Sequence, residues 1–304
     1  MTKTIKIDTV SQMHHFLGLP NPKHPLVTVI QANSIKSVGQ LSEVKITMNL
    51  FQIMLKQGTC GNMQYGRNSY DYEQGTLVFT APGQVLQFDE DEDYESKNQE
   101  GWIFAFHPDL IKKSDLGSKI DAYSFFYYDS NEALHLSDDE RLATWGLLSK
   151  IQTEYSQNLD KHSQHLINMN IELLLDYCTR FYDRQFYTRT NLNADTASKF
   201  ERLLKMYYEK SMENDFGLPT VNFCAGKLNL SSSYLSDLLK KETGKTAQEH
   251  IHLFVIEKAK TSLLNSKDSV SQIGYSLGFK YPQHFSNLFK LKTGMSPAEY
   301  RNLN

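Results

Sequence analysis

The sequence predicts a two-domain α+β protein, in which an antiparallel β-barrel or sandwich with two amphipathic helices precedes a domain made only of helices. Three observations predict this fold class: the length, a change of apolar pattern along the chain, and an internal repeat. At 304 residues the chain exceeds the usual size of one domain. We expect the first domain over residues 1–185, a linker over 186–198 and the second domain over 199–304.

The composition is that of a globular protein from a reducing compartment. Apolar residues make up 40% of the chain and aromatic residues 12%, and no apolar run approaches the roughly 20 residues of a membrane span. The N-terminal stretch MTKTIKIDTV lacks the apolar core of a secretory signal, so we expect a cytoplasmic protein without a membrane partner. Cys60, Cys178 and Cys224 form no C-x-x-C pair, which favours buried thiols over disulfides or a zinc site.

Charge is distributed unevenly along the chain. The net charge is −3, yet Lys199–Asn304 holds 15 Lys and Arg against 10 Asp and Glu, or +5, which leaves −8 for residues 1–198. A basic segment favours contact with a polyanion such as nucleic acid, although +5 is modest for that purpose. Charge alone therefore indicates the C-terminal segment only weakly.

Between Pro25 and His107 the pattern predicts short antiparallel strands. Alternating apolar residues mark two of them: Val44, Ile46 and Met48, and Trp102, Phe104 and Phe106. Closely spaced turn signals separate the strands: Gln57-Gly58, Cys60-Gly61-Asn62, Tyr65-Gly66-Arg67-Asn68, Glu73-Gln74-Gly75 and Ala81-Pro82-Gly83. This spacing predicts a sandwich or small barrel. We interpret the acidic run Asp89–Asp93 as a solvated loop rather than an interaction tail.

Two amphipathic helices should follow the strands. The first begins with the capping-box sequence Ser137-Asp138-Asp139-Glu140 and should reach about Gln157. Their predicted apolar stripes are Leu142, Trp145, Leu148, Ile151 and Tyr155, and then Leu166, Met169, Ile171, Leu173 and Leu174. These helices can cap the β core or form a dimer surface, and the pattern fits both equally. The polar stretch Arg184–Ser198, rich in Asn and Thr, indicates the linker.

An internal repeat is the most informative feature of the C-terminal segment. Six residues recur fifty positions later: Ser236, Leu238, Lys240, Thr243, Gly244 and Glu249 return as Ser286, Leu288, Lys290, Thr293, Gly294 and Glu299. Upstream the offset is 49, which pairs Ala225 with Gly274 and Asn229 with Gly278. The second copy therefore has one extra residue in its turn. The repeat is a duplicated supersecondary unit.

Each copy has the parts of a helix-turn-helix unit. A short apolar helix is followed by a residue suited to a left-handed turn, Asn229 or Gly278, and then by a second helix, over 231–243 or 281–293. The second helices should bury Leu235, Leu238 and Leu239, and Phe285, Leu288 and Phe289. Caps at Gly244 and Gly294, and new helix starts at Thr246 and Ser296-Pro297, complete the pattern. Ala247–Leu264 should be a helix that joins the two units.

These residues resemble the AraC/XylS class of bacterial transcription regulators over about residues 200–302. The resemblance rests on Tyr234-Leu235-Ser236, Leu239, Lys240-Lys241-Glu242-Thr243-Gly244, Ile273, Gly278-Phe279, Phe285-Ser286, Phe289-Lys290, Thr293-Gly294, Ser296-Pro297 and Tyr300-Arg301. In the first domain, Gly75–Phe79 and Ala81–Gln84 resemble a strand and turn of the family's cupin-type barrel. The resemblance implies a transcription regulator, such as an activator. It also implies double-stranded DNA, a second copy of the chain, a small effector and RNA polymerase as partners.

If both second helices enter successive major grooves, their exposed residues should contact DNA. The candidates are Ser231, Ser232, Ser233, Ser236, Asp237 and Lys240, and Lys280, Tyr281, Gln283, His284, Asn287 and Lys290. Gln283 or Asn287 can pair with adenine and Asp237 with cytosine, while the serine hydroxyls are uncommitted and the lysines suit phosphates. A solvated surface position is the alternative for each.

The chain departs from the family pattern in ways that bear on specificity. The family often has Arg at the positions of Asp237 and Asn287, and an aromatic residue at the position of His284. Only two arginines, Arg202 and Arg301, occur between Lys199 and Asn304. We therefore predict that the second unit prefers adenine-containing steps and that the first contributes less sequence discrimination.

The first domain offers a candidate effector pocket but no chemical site. Its aromatic candidates are Phe51, Tyr65, Tyr70, Tyr72, Phe79, Trp102 and Phe104, for which core packing is the simpler interpretation. No His lies between His24 and His107, which argues against a cupin metal centre, and the His162/His165 pair has no third ligand. Nucleophile, P-loop and G-x-G-x-x-G motifs are absent from the sequence. We therefore predict no catalytic, metal or cofactor site, against the alternative of a reactive cysteine, Cys60 or Cys178.

Overall fold

The structure, a computed structural model of the chain, describes residues 3–35, 44–56, 75–87, 101–129, 132–158, 160–211 and 217–302. Two compact units divide the chain, Met1–Tyr187 and Thr188–Asn304. The predicted turns between Gln57 and Gln74, the acidic run Asp89–Asp93 and Cys60 lie outside the described residues. No helix in the described ranges is long and apolar enough to cross a membrane.

The described strands of the first unit form two sheets. They are β1 (Lys3–Ile7), β2 (Val27–Gln31), β3 (Val44–Met48), β4 (Phe51–Lys56), β5 (Thr76–Thr80), β6 (Val85–Gln87), β7 (Gly101–Phe106) and β8 (Leu134–His135). The larger sheet has the order β2-β7-β4-β5-β8 and is antiparallel throughout, as predicted. The smaller sheet has the order β1-β3-β6, with β1 parallel to β3.

The two sheets share one apolar core but, in the described strands, do not close into a barrel. A short helix, α1 (Val10–Phe16), contributes Val10 and Met13 to this core, where they join Ile46 of β3 and Ala105 of β7. The predicted cupin-type barrel is therefore not confirmed. A β-rich first unit, however, is present where the alternating pattern predicts it.

Four further helices belong to the first unit. They are α2 (Pro108–Ile111), α3 (Asp115–Lys119), α4 (Asp138–Ser156) and α5 (Ser163–Thr188). The capping box at the start of α4 is confirmed, because Ser137 accepts from the N–H of Glu140 and the Glu140 carboxylate accepts from the N–H of Ser137. Tyr155 of α4 accepts the N–H of Val29, at the edge of the sheet, at 3.0 Å.

The predicted apolar stripes of α4 and α5 are wrong in part. Leu142 is 66% exposed, and Leu166, Met169 and Leu173 are 44–52% exposed. The buried faces consist instead of Thr144, Leu147, Leu148, Ile151 and Tyr155 in α4, and in α5 mainly of Ile167, Ile171, Leu174, Leu175 and Cys178. Both helices have more apolar residues than one face can hold, so periodicity alone did not select the inner face. The inner faces cap the core, and apolar side chains remain outside.

The second unit consists of helices. They are α6 (Thr190–Ser211), α7 (Val221–Leu228), α8 (Ser232–Thr243), α9 (Ala247–Asn265), α10 (Val270–Ser276), α11 (Pro282–Thr293) and α12 (Pro297–Arg301). The segment 186–198, predicted as a linker, is helical except at Arg189. It contains neither Pro nor Gly, and α6 packs against α7 and α8, so tertiary contacts outweigh the weak helix propensity of its Asn and Thr residues.

Candidate nucleic-acid interface

Each repeat of the second unit joins a short helix to a longer one through one left-handed residue. After α7 this residue is Asn229, with φ +55° and ψ +44°. After α10 it is Gly278, with φ +93°. Glycine takes this conformation without a Cβ penalty, and asparagine is the next best choice. The predicted helix-turn-helix units, α7–α8 and α10–α11, are therefore present.

The C-terminal ends of α8 and α11 are built alike. Each helix has 12 residues and ends at a left-handed glycine, Gly244 with φ +75° or Gly294 with φ +80°. The hydroxyl of the preceding threonine, Thr243 or Thr293, donates to the carbonyl four residues earlier, at 2.7 and 2.8 Å. These shared contacts give the repeated Thr-Gly pair a structural role.

The helices that follow also begin alike, as the sequence predicts. Thr246 caps α9 and Ser296 caps α12, each in a capping box with a glutamate three residues later. Hydrogen bonds from the backbone N–H and the hydroxyl of the capping residue lower the pKa of Glu249 and of Glu299. The helix α9 begins after the first helix-turn-helix unit and ends before the second, as predicted for the joining helix.

The buried faces of α8 and α11 follow the prediction closely. Leu235, Leu238 and Leu239 are at most 2% exposed in the first unit, and Phe285 and Phe289 are fully buried in the second. The ring of Phe285 lies 5.4 Å from that of Phe279 and 5.8 Å from that of Phe289, between ring centroids. Only Leu288, predicted to be buried, is half-buried.

The outer face of α8 is only partly open. Of its six predicted contact residues, Lys240 is exposed, and the serines and Asp237 are half-buried. Ser231 is not uncommitted, because its side chain accepts the N–H of Tyr234 at 3.1 Å as the helix N-cap. Ser232 also has a partner, since its hydroxyl donates to the side-chain oxygen of Asn222 at 3.4 Å. Part of the serine-rich face therefore stabilises the unit itself.

The outer face of α11 is fully open. Its six predicted contact residues are all exposed: Lys280, Tyr281, Gln283, His284, Asn287 and Lys290. Tyr281, the N-cap, makes no capping hydrogen bond with its side chain, and Pro282 occupies the first helical position. The rings of Tyr281 and His284 meet edge to face at 5.4 Å, and the Lys280 ammonium lies 5.6 Å from the Tyr281 ring. The second helix-turn-helix unit thus exposes more of its predicted contact residues than the first.

The aromatic residues predicted for an effector pocket are buried where the structure describes them. Phe51, Phe79, Trp102 and Phe104 are 0–7% exposed, whereas Tyr65, Tyr70 and Tyr72 lie outside the described residues. The rings of Phe51 and Phe79 contact Phe106, Phe125 and Phe126 at centroid distances of 4.6–5.7 Å. These rings form an aromatic core that Tyr182 of α5 also contacts. The indole N–H of Trp102 is buried and has no hydrogen-bond partner among the described residues.

The cysteines and histidines considered for a reactive or metal site differ in exposure. Cys178 and Cys224 are buried as predicted, and burial raises the pKa of both thiols, that of Cys224 to about 11. His162 and His165 are exposed. Within the described ranges, no three His, Cys, Asp or Glu side chains are grouped as metal ligands would be.

The sequence did not predict the contacts of two adjacent tyrosines of α6, which bond to the segments before α7 and after α10. Tyr207 donates to the carbonyl of Gly217 at 2.7 Å, and Tyr208 donates to the carbonyl of Leu277 at 3.2 Å. The second of these contacts joins residues 69 positions apart. No local pattern in the sequence announces such a pair.

Comparison with known proteins supports this description of the second unit. A family described as a helix-turn-helix domain matches residues 224–303. The transcriptional activator RhaS of Escherichia fergusonii is 40% identical over 77 residues, which are 25% of this chain and 28% of RhaS. The activator RhaR of Escherichia coli K12 is 26% identical over 166 residues, which are 54% of this chain and 57% of RhaR.

Among solved structures, the C-terminal domain of AraT, a response regulator from Geobacillus stearothermophilus, is 28% identical with a TM-score of 0.31. It covers 34% of this chain and 85% of that domain. The matched part of the chain spans less than two thirds of the length of RhaS and of RhaR. The helix-turn-helix match, the duplicated units and the family residues quoted above show that the chain ends in a helix-turn-helix domain of the AraC/XylS class.

Proposed function

We propose that this protein is a sequence-specific DNA-binding regulator of transcription. The observation that carries the proposal is the pair of helix-turn-helix units with 12-residue second helices, α8 and α11, joined by α9. Two such helices reach two successive major grooves when they lie one helical turn of DNA apart, about 34 Å. RNA polymerase is a further proposed partner, which the protein would contact if it acts as an activator.

The open face of α11 is the stronger candidate for base reading. Gln283 and Asn287 are exposed amides one helical turn apart, and each suits the hydrogen-bonding edge of adenine. The exposed ammonium groups of Lys240 and Lys290 suit phosphates, which fix position without reading sequence. On α8, Asp237 and Ser236 remain candidates, but the half-burial of this face favours a smaller contribution to specificity.

Selection from random-sequence duplexes tests this function. The full chain is incubated with the pool at moderate salt, and retained duplexes are sequenced over several rounds. We expect two conserved segments about 10 base pairs apart, centre to centre, with adenine prominent in one of them. Retention of all sequences alike would contradict sequence-specific recognition.

We further propose that the protein acts as a homodimer through α5. Leu166, Met169 and Leu173 follow one another at helical spacing and are 44–52% exposed, although burial would stabilise each of them. Analytical ultracentrifugation of the wild type and of Met169→Lys tests this proposal, with Leu142→Lys on α4 as an exposed control. Dissociation by Met169→Lys alone is expected, and a monomeric wild type would contradict it.

Control by a small effector is the second proposal for the first unit, against the alternative of a constitutive DNA binder whose first unit only dimerises. The buried indole N–H of Trp102 supports it, because this donor has no acceptor among the described residues and an acceptor atom of a ligand would satisfy it. Thermal melting with a panel of metabolites decides between the two, since a ligand that binds only the folded state raises its stability. Saturable stabilisation that Trp102→Phe weakens is expected, and its absence across the panel favours the constitutive protein.

A further inference from the structure

We propose that Tyr208 is a positioning residue that sets the separation of the two recognition helices. It lies on α6, outside both helix-turn-helix units, and it acts on the turn between α10 and α11. The inference rests on the proposed function, because helix separation matters only if α8 and α11 read one DNA duplex together. It adds to α9 a second connection between the units.

The connection consists of two hydrogen bonds and one close backbone contact. Tyr208 donates to the carbonyl of Leu277, the residue before the left-handed Gly278, at 3.2 Å. Its neighbour Tyr207 donates to the carbonyl of Gly217, shortly before α7, at 2.7 Å. A Cβ atom on Gly278 would lie only 2.6 Å from the carbonyl carbon of Gly217. The chain that leads into the first unit therefore abuts the turn of the second.

The side chain of Tyr208 is held in place from several sides. It is 7% exposed, and its ring stacks on Phe254 of α9 with centroids 5.7 Å apart. The ring of Tyr207 meets the ring of Tyr208 edge to face, with centroids 5.5 Å apart. Burial raises the pKa of Tyr208, so the hydroxyl remains a hydrogen-bond donor at neutral pH. A fixed donor of this kind holds the Leu277 carbonyl, and with it the start of the turn.

The contact has a geometric consequence for α11. The second helix-turn-helix unit already packs against α9 through α10 and α11, which fixes its place on the joining helix. The bond from Tyr208, whose ring stacks on Phe254 of α9, also holds the α10–α11 turn and so restricts rotation of α11 about α9. At the equivalent turn of the first helix-turn-helix unit, Asn229 is exposed and carries a side chain. The glycine at 278 thus serves both the left-handed turn and the close approach of Gly217.

The test compares three full-length variants. Tyr208→Phe keeps the ring and removes the hydroxyl, and Gly278→Ala pushes Gly217 away. Gly294→Ala is the matched control, because Gly294 is also left-handed, with φ +80°, but has nothing within 4 Å of an added Cβ. The duplex selected by the wild type is used as the probe, together with versions that have two base pairs inserted or deleted between the conserved segments. Urea unfolding confirms that each variant is folded.

Wild type and Gly294→Ala should prefer the selected spacing by about tenfold or more over the altered spacings. Tyr208→Phe and Gly278→Ala should reduce this preference to about threefold or less, and the double variant should add little, because both act on one contact. A full spacing preference in Tyr208→Phe would overturn the inference, and so would an equal loss in Gly294→Ala.

Amide hydrogen exchange separates this inference from the proposed function. The N–H groups of Gly278 and Phe279 are bonded to the carbonyls of Tyr275 and Gly274 at 2.9 and 3.0 Å. In Tyr208→Phe without DNA, both amides should exchange several-fold faster than in the wild type and in Gly294→Ala. Unchanged exchange would overturn the positioning role whatever DNA the protein binds. A wild type that selects no sequence, in contrast, would contradict the proposed function alone.

Discussion

Gly274 of α10 lies against the ring of Phe285 of α11, and a Cβ atom at Gly274 would come within 3.2 Å of that ring. The equivalent residues of the first unit are Ala225 and Leu235, which are both buried. At this packed position the second helix-turn-helix unit pairs a smaller residue, Gly274, with a larger one, Phe285. The two repeats keep one architecture while they exchange volume between paired helices.

This exchange predicts opposite effects for two glycine substitutions. Gly226→Ala on α7 meets nothing within 4 Å and should stabilise the protein by up to about 1 kcal/mol, since alanine favours helix. Gly274→Ala should destabilise it by about 1 kcal/mol or more through overpacking. Adding Phe285→Leu to Gly274→Ala should recover part of the loss. Urea unfolding of the four proteins measures these differences, and a stabilising Gly274→Ala would show that Phe285 yields freely.

Tyr155 should contribute to the stability of the first unit through the edge of its larger sheet. Tyr155→Phe removes the acceptor of the Val29 N–H and should cost about 1–3 kcal/mol in the free energy of unfolding. Tyr127→Phe, at a position that is 46% exposed, is the control and should change little. Thermal or urea unfolding measures both. Equal stabilities of the two variants would mean that water or another group replaces the tyrosine oxygen.

His250 should make the second unit less stable in weak acid. Burial lowers its pKa, the charges of Glu201, Lys245 and Glu249 act on it in addition, and its Nε2 lies 2.6 Å from the Thr243 hydroxyl. Because the folded-state pKa lies below that of the unfolded chain, the unfolded state gains the proton first as the pH falls. This contribution is therefore complete above the ordinary value of 6.5 and is lost as the pH falls through the folded-state pKa.

The measurement is the midpoint of thermal unfolding between pH 7.5 and 5.5 for the wild type and His250→Gln. The wild type should lose more stability over this interval than the variant. His165→Gln, an exposed position in the first unit, is the control. The same pH dependence in all three proteins would assign the effect to other groups, for example His252, whose pKa burial also lowers.

The second unit could be predicted well from the sequence because its signals are local. Turn residues such as Asn229 and Gly278, the caps at Gly244 and Gly294, and the capping boxes each act within a few residues. Duplication then supplied an internal check, since each signal occurs twice. The buried and exposed faces of α11 followed from the same 3.6-residue period.

Other features could not be predicted because they depend on distant contacts. The inner face of α5 contacts the aromatic core and that of α4 contacts β2, whereas periodicity allowed more than one choice. The helix over residues 190–198 forms despite its polar composition. The parallel pairing of β1 with β3 and the bond from Tyr208 to Leu277 join segments about 40 and 69 positions apart. At α8, the sequence did not reveal that Ser231 is used as a cap.

The central claim is that α11 reads bases while α8 contributes less to specificity. Its most direct test is the ratio of affinities for the selected duplex and an unrelated duplex, measured for Asn287→Ala and for Asp237→Ala at the equivalent position of α8. Asn287→Ala should lower the ratio by about tenfold or more and leave binding to the unrelated duplex nearly unchanged, whereas Asp237→Ala should change it by about threefold or less. Equal loss of binding to both duplexes in Asn287→Ala, or an equal loss of specificity in Asp237→Ala, would contradict the claim.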